Sequence, residues 1–387
     1  MPPTVPPAVS PAVREEAIQA ALATVDDPEI GRPVTELGMV ESVTIDGGRV
    51  AVGVLLTVTG CPMREEIVRR VQTAVGAVPG VVHVAVSLGV MDDAQRKTLQ
   101  RTVRGDRADK QIPFAQPGSL TRVYAVASGK GGVGKSTVTT NLAAAMAADG
   151  LTVGVLDADI YGFSVPRMLA VTGKPTQVEQ MILPPQSYGI RVISIGMFTR
   201  DNAPVVWRGP MLHRALEQFL ADVHWGDLDI LLLDLPPGTG DIAISVAQLL
   251  PSAEIVVVTT PQLAAQEVAE RAGAIATQTH QRLAGVVENM AGMVLPDGSV
   301  LDVFGSGGGA AVAAGLSRTM GHDVPLLGSI PLDPRLRASA DAGHPLVLAE
   351  PEAPAAVALR SVARALAGRP RGLAGMSLGI SPNRSGA

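Results

Sequence analysis

The stretch "ASGKGGVGKST", Ala127 to Thr137, follows the apolar run "RVYAV" and precedes "VTTNLAAAMAADG", so it joins a strand to a helix. Within it, "GKGGVGKS" fits G-x-x-x-x-G-K-[ST], a pattern that carries its chemistry only in that strand–loop–helix setting. Glycines let successive backbone N–H groups converge on an anion, and the start of the following helix adds its positive dipole end. Gly129, Lys130, Gly131, Gly132, Val133, Gly134, Lys135, Ser136 and Thr137 are therefore expected to bind ATP. Lys135 should reach the β- and γ-phosphates, and the Ser136 hydroxyl should ligand Mg²⁺. Such a loop needs one lysine and this one has two. Lys130 stands at the entrance, where its side chain cannot easily turn back onto its own phosphates. It can instead cross a dimer interface and neutralise phosphate charge in a partner's site, as an arginine finger does. A solvated lysine with no special role is the other reading, and the residue alone does not decide.

From Thr121 onward, apolar strands alternate with helices: "RVYAVAS", "TVGVLDA", "RVISIG", "DILLLDLP", "EIVVVTT", "LAGVVENM" and "VPLLGSIP". Continuous apolar runs of this kind suit a parallel sheet buried on both faces, with helices as crossovers. The expected fold is α/β: a P-loop NTPase with a mostly parallel sheet flanked by helices over 121–368, plus a small N-terminal α/β domain. Open α/β sheets place ligands at strand ends. Asp157 and Asp159 end the second strand of this domain and can both face the Mg²⁺–phosphate region, or serve as turn aspartates. Asp234 ends "ILLLD" as a Walker B carboxylate does and is expected to hold Mg²⁺ through a water. The following "PPGTGD" joins stiff prolines to permissive glycines, the makings of a switch that senses whether a γ-phosphate is present. Its Asp241 is expected to cap the next helix.

Ahead of that domain, residues 12–90 read as a compact α/β unit: a helix from Ala12 to Val25, a break at "DDPEIGRP", a β-hairpin turning at Gly47-Gly48, the corner "TGCP", a helix, and a strand ending near Leu88. Residues 91–120 read as a linker. The Pro-rich residues 1–11 are expected to be disordered, and residues 369–387 to form a flexible tail. At 387 residues, two domains, or three at most, are expected at about 150 residues each. A net charge of −5 argues against a DNA-coating surface. Runs such as "EIVVVTTP" fall far short of the roughly 20 residues that span a bilayer. The N-terminus lacks a signal-peptide profile. The expectation is a soluble cytoplasmic protein with no nucleic-acid or membrane partner.

Cys61 is the one cysteine, which rules out a disulfide framework or a Cys-rich metal site within one chain. It sits in "TGCPM" near a helix start, where the dipole would lower its thiol pKa and favour thiolate. A cluster ligand, metal ligand or partner contact is one reading, and a small buried hydrophobe is the other. Glu29 of "DPEI" can assist it or simply form a turn. His83, His213, His224, His280, His322 and His344 are scattered and read as structural.

"GKGGVGKS" resembles the deviant Walker A of the ParA/MinD-type ATPases, whose signature lysine acts in trans across a nucleotide sandwich dimer. The chain as a whole resembles the Mrp/ApbC branch, the iron–sulfur cluster carrier ATPases. The resemblance rests on "VGVLDADIYGFSVPRML", "VVWRGPML", "LLLDLPPGTGDIAIS", "GVVENM", "FGSGGG" and "LLGSIPLDP". The N-terminal "DPEI", "ELGMV" and "TGCPM" resemble the small iron–sulfur assembly domain often fused ahead of that ATPase. The resemblance implies slow, Mg²⁺-dependent ATP hydrolysis in a homodimer. Asp159 would polarise the attacking water and Asp157 would support the metal. Asn289 would read the adenine edge, with Pro331 and Asp333 on the other side of the base. Iron–sulfur assembly proteins and client apoproteins are the implied partners, and an iron–sulfur cluster the implied cargo. One departure stands out. The family usually carries a C-x-x-C between "ENM" and "FGSGGG", where two subunits bridge one cluster. This chain reads "ENMAGMVLPDGSVLDVFGSGGG", without cysteine, although thiolates are what such clusters prefer. Three functions follow: a cluster carrier, a recruitment scaffold without cluster binding, or a ParA/MinD-like positioning ATPase. The last wants a basic patch or a basic amphipathic helix, neither of which is evident.

Overall fold

The computed structural model describes residues 13–58, 61, 63–104, 111–116, 118–159, 162–198, 209–238, 241–262 and 265–368. The expected disordered N-terminus and the tail 369–387 lie outside these residues. Two compact units form, and they are not consecutive pieces of chain. The first takes the residues before 111 together with two later segments, Gly173–Pro185 and Asp222–Gly226.

In the first unit, β1 (Val40–Asp46) and β2 (Arg49–Leu56) form the expected antiparallel hairpin, with Asp46 paired to Arg49. Gly47 takes φ +57, and a Cβ on Gly48 would lie 2.8 Å from the Gly80 carbonyl, so the turn needs both glycines. β3 (His83–Val90) runs parallel to β2. Parallel neighbours need a crossover, and α2 (Arg64–Gly76) supplies it, burying Ile67, Val71 and Val75 at four-residue spacing. α1 (Glu15–Leu22) buries Ile18 and Leu22 against the same core.

Residues 91–120, read from the sequence as a linker, instead contain α3 (Asp93–Arg104), whose Leu99 is buried in that core. "DAQRKTLQRTVR" offers too few apolar positions to advertise a packed helix, which explains the difference.

The second unit starts with β4 (Arg122–Ala127), α4 (Lys135–Ala148), β5 (Val153–Asp157) and the short α5 (Val165–Met168). The chain then leaves it to make β6 (Thr176–Val178) and β7 (Met181–Leu183), an antiparallel pair belonging to the first unit. Val178, Met181 and Leu183 are fully buried in the first unit's core. The second excursion follows the same pattern. Ile182 pairs with Val223, His224 Nε2 lies 3.0 Å from the Ile30 carbonyl, and Trp225 is buried.

β8 (Gln186–Ser187), β9 (Ile190–Ser194), α6 (Gly209–Ala221), β10 (Ile230–Asp234), α7 (Asp241–Leu249), β11 (Glu254–Thr259), α8 (Ala265–Thr279) and β12 (Arg282–Ala291) follow. A small hairpin of β13 (Met293–Val294) and β14 (Val300–Leu301) leads to α9 (Gly308–Met320), β15 (Leu326–Pro331), α10 (Pro334–Ala342), α11 (Leu346–Ala349) and α12 (Pro354–Ala367). The main sheet has eight strands in the order β15-β12-β11-β4-β10-β5-β9-β8, all parallel except the edge strand β8. The seven parallel strands are those read from the sequence. α4 is buried from Val138 through Met146, on every face. Three consecutive alanines, Ala143 to Ala145, let sheet and helices approach closely, and α12 packs along it through Leu359, Val362 and Leu366. No helix among the described residues is long and apolar enough to cross a membrane.

Candidate functional site

β4, β5 and β10 are adjacent, and their C-terminal ends meet. Asp234 pairs in register with Asp157 on one side and with Val126 on the other. The strand-end residues of the sequence reading are thereby brought together within the second unit. Gly132 and Gly134 both take φ +77, a left-handed conformation that side chains resist. Gly134 is the N-cap of α4, so the loop curls directly into the helix start.

Lys135 is buried, with Nζ 2.7 Å from Asp234 Oδ1 and 3.9 Å from Asp159 Oδ2. Ser136 Oγ donates to Asp234 Oδ2 at 2.5 Å, and Thr139 Oγ1 to Asp234 Oδ1 at 2.9 Å. Asp234 is fully buried, and a buried carboxylate survives only when paired in this manner. Asp157 lies beside it, its Oδ1 accepting the Asp159 N–H at 3.1 Å and its Oδ2 the Ser194 hydroxyl at 3.1 Å. Burial, reinforced by the neighbouring Asp234 charge, pushes the Asp157 carboxyl well above the usual carboxylate range. Ser194 in turn accepts the Gly196 N–H at 3.2 Å, so the end of β9 is tied to the same carboxylate. Neither Thr139 nor Ser194 was singled out from the sequence. Thr139 had a signal, since it stands one helical turn beyond Lys135 and shares its face. Ser194 had none.

The "PPGTGD" segment is fastened to the loop: the Gly238 N–H donates to the Ser128 carbonyl at 2.9 Å. Thr239, Gly240 and the Asp241 side chain lie outside the described residues. Lys130 Nζ donates to Gln262 Oε1 at 2.5 Å, and Arg271 Nη1 donates to the Gly129 carbonyl at 3.3 Å. Asn289 is buried at the end of β12, with Nδ2 donating to the Val133 carbonyl at 2.9 Å. Asp333 is the N-cap of α10, accepting from the Arg335 backbone and pairing with its guanidinium at 2.7 Å. Pro331 ends β15. The expected adenine side thus consists of residues that already hold structural bonds.

In the first unit, Asp27 Oδ1 accepts the N–H groups of Glu29 at 3.0 Å and Ile30 at 2.8 Å, an Asx turn that organises "DDPEI". It aims Glu29 inward. Cys61 Sγ donates to Glu29 Oε2 at 3.7 Å, and Thr176 of β6 donates to Glu29 Oε1 at 3.4 Å. Burial and the Asp27 charge raise the Glu29 carboxyl to about 7. Burial, then the Glu29 charge, push the Cys61 thiol up to about 11. Desolvation thus outweighs the dipole of α2 and favours the neutral thiol, against the thiolate that the helix start alone suggested. Among the described residues, no group of three or more His, Cys, Asp or Glu is arranged to hold a metal ion.

The ParA family model, described as NUBPL iron-transfer P-loop NTPase, matches residues 119–367, and a model described as iron-sulfur cluster assembly protein matches residues 15–88. A protein of Mycobacterium tuberculosis H37Rv named iron-sulfur cluster carrier protein is 65% identical over 369 residues, covering 95% of this chain and 97% of that protein. One of the same name from Deinococcus radiodurans is 44% identical, covering 92% and 95%. A solved structure of a nucleotide-binding protein from Archaeoglobus fulgidus in complex with ADP is 35% identical, covering 59% of this chain and 92% of that one, with a TM-score of 0.49.

Proposed function

This chain belongs to the ParA family of NUBPL-type iron-transfer P-loop NTPases, and from that premise we propose a cytoplasmic homodimer that hydrolyses Mg·ATP slowly while handling iron–sulfur clusters for client apoproteins. The observation that carries the ATPase is the knot of Lys135, Ser136, Thr139 and Asp234 at the mouth of the phosphate loop.

The donors suit the metal. Ser136 and Asp234 present two hard oxygens 2.5 Å apart, the ligand type Mg²⁺ prefers, and Asp157 stands behind them. Mg²⁺ bound there would neutralise charge on the β- and γ-phosphates. Lys135 exchanges its Asp234 contact for phosphate oxygens when nucleotide enters, so the ion pair keeps the lysine oriented at the loop until then. Asp159, near Lys135 and not fully enclosed, orients the attacking water. Lys130 leaves Gln262 and neutralises the transferring phosphoryl group in the partner subunit's site. The Gly238–Ser128 bond lets the loop after Asp234 feel whether the γ-phosphate is present.

The cluster is cargo, and support for it comes from the names of the relatives. One observation favours a second reading, an ATP-dependent recruitment scaffold that binds no cluster. Cys61, the one cysteine, is buried against the Glu29 carboxyl with its thiol pushed up, and the segment between Met290 and Phe304 has none. Anaerobic reconstitution of wild type and Cys61→Ala, read by visible absorbance with iron and sulfide content, decides. Uptake by wild type that Cys61→Ala lacks supports the carrier. Iron and sulfide at background in wild type leave the scaffold.

A further inference from the structure

The end of β12 is built to hold one side chain against the phosphate loop. Its pairing with β15 shifts register between Glu288 and Ala291, and Met290 takes φ +61, uncommon for a residue with a side chain. The irregularity is pinned from both flanks, because the Glu288 carboxylate accepts the Gly309 N–H at 2.7 Å and the Ser329 hydroxyl at 2.7 Å. Bulges of this sort re-aim a side chain. Here the side chain is Asn289, 3% exposed, whose Nδ2 donates to the Val133 carbonyl at 2.9 Å. It also fills the space over Gly134: a Cβ added there would lie 2.3 Å from Nδ2. Gly134 is thus glycine for two reasons, its φ of +77 and the amide packed against it.

We propose that Asn289 is a positioning residue for the phosphate loop, gripping its backbone at Val133 and so setting the affinity for any polyphosphate the loop holds, with or without a base. The reason is peptide geometry. In a planar trans peptide the C=O and the next N–H point in opposite directions. Fixing the Val133 carbonyl toward Asn289 aims the Gly134 N–H the other way, where a phosphate-binding loop presents its donors. The bond crosses 156 positions of sequence and is buried, so its loss leaves an unsatisfied carbonyl and a loop free to rotate that peptide. A role confined to reading adenine requires neither the bond nor the contact with Gly134. The proposal rests on the nucleotide reading of this loop.

Inorganic tripolyphosphate separates the two roles, because it has no base. Mg·ATP and Mg·tripolyphosphate are titrated calorimetrically into the full chain, as wild type, Asn289→Ala and Asn289→Asp, with a thermal melt of each. Asn289→Asp keeps the shape and places an acceptor against the carbonyl. The grip predicts that both ligands weaken by the same factor, about tenfold, in either variant that remains folded. A variant that loses ATP affinity while binding tripolyphosphate like wild type overturns the grip and leaves base reading. Unchanged affinity for both ligands overturns it as well. A wild-type chain that binds neither ligand overturns the nucleotide reading itself, and the grip with it.

Discussion

Lys135 and Lys130 carry the same charge five positions apart and end in opposite surroundings. Lys135 is enclosed by carboxylates, whereas Lys130 rests on the neutral amide of Gln262. Lys135→Ala removes the cation facing the phosphates and strands Asp234, so Mg·ATP binding should be lost beyond detection in a calorimetric titration. Lys130→Ala should leave the dissociation constant within a few-fold and lower turnover by on the order of a thousandfold, the scale of a charge supplied to a phosphoryl transition state. Unchanged turnover would defeat the trans-lysine mechanism. Cys61 gives a separate test. With its thiol pushed up to about 11, against the ordinary 9.0, native protein at pH 8 should react with iodoacetamide roughly a hundredfold more slowly than protein in urea. Glu29 sets a pH dependence. Its folded value of about 7 exceeds the unfolded 4.5, so the folded state holds the extra proton and stability falls as pH rises between those values. Glu29→Gln should flatten that slope in melting temperatures measured from pH 4.5 to 7.5. The phosphate-loop residues were legible in the sequence because their chemistry is local, carried by nine adjacent positions. Ser194, Gln262 and the Asn289–Val133 bond were not, since each acquires its role from a neighbour brought in by the sheet order. The state of Cys61 was misread for the same reason: the dipole is visible in sequence, and the burial that overrides it is not.

At the scale of elements, the strands of the main sheet announce themselves as apolar runs, while β6 and β7 are only three residues each. Nothing local in "TQVEQMIL" says that these strands leave the sheet they interrupt and complete a different core. Yet Val178, Met181 and Leu183 are as buried as any residue of the first unit. Met181→Ala or Leu183→Ala should therefore cost the first unit about 2–5 kcal/mol, the usual range for opening a core cavity. Trp225 lies in that unit and is one of two tryptophans, so its fluorescence in a Trp207→Phe background can follow the unit through a denaturant titration. An unchanged midpoint would show that the pair is dispensable to the core.

At the scale of the whole molecule, the two family matches divide the chain near residue 119, and the packing does not respect that division. The polypeptide enters the first unit, leaves it, and returns twice, at 173–185 and 222–226. The nucleotide site belongs wholly to the second unit. The dimer mechanism places its missing charge on another copy of the chain. Turnover per chain should then rise with protein concentration and level off, and Asp159→Asn with ATP should elute as a dimer in light-scattering chromatography. A strictly first-order dependence would remove the need for a partner.

The returning segments also fix the order in which the protein can mature on the ribosome. A core that includes Val178, Met181 and Leu183 is not complete when Arg104 emerges, although every strand of its own sheet has by then been made. At bacterial-to-eukaryotic elongation speeds the interval is on the order of ten seconds. Over that interval the nascent first unit lacks the three side chains that β6 and β7 bring to its core, and the apolar surface they cover is left open.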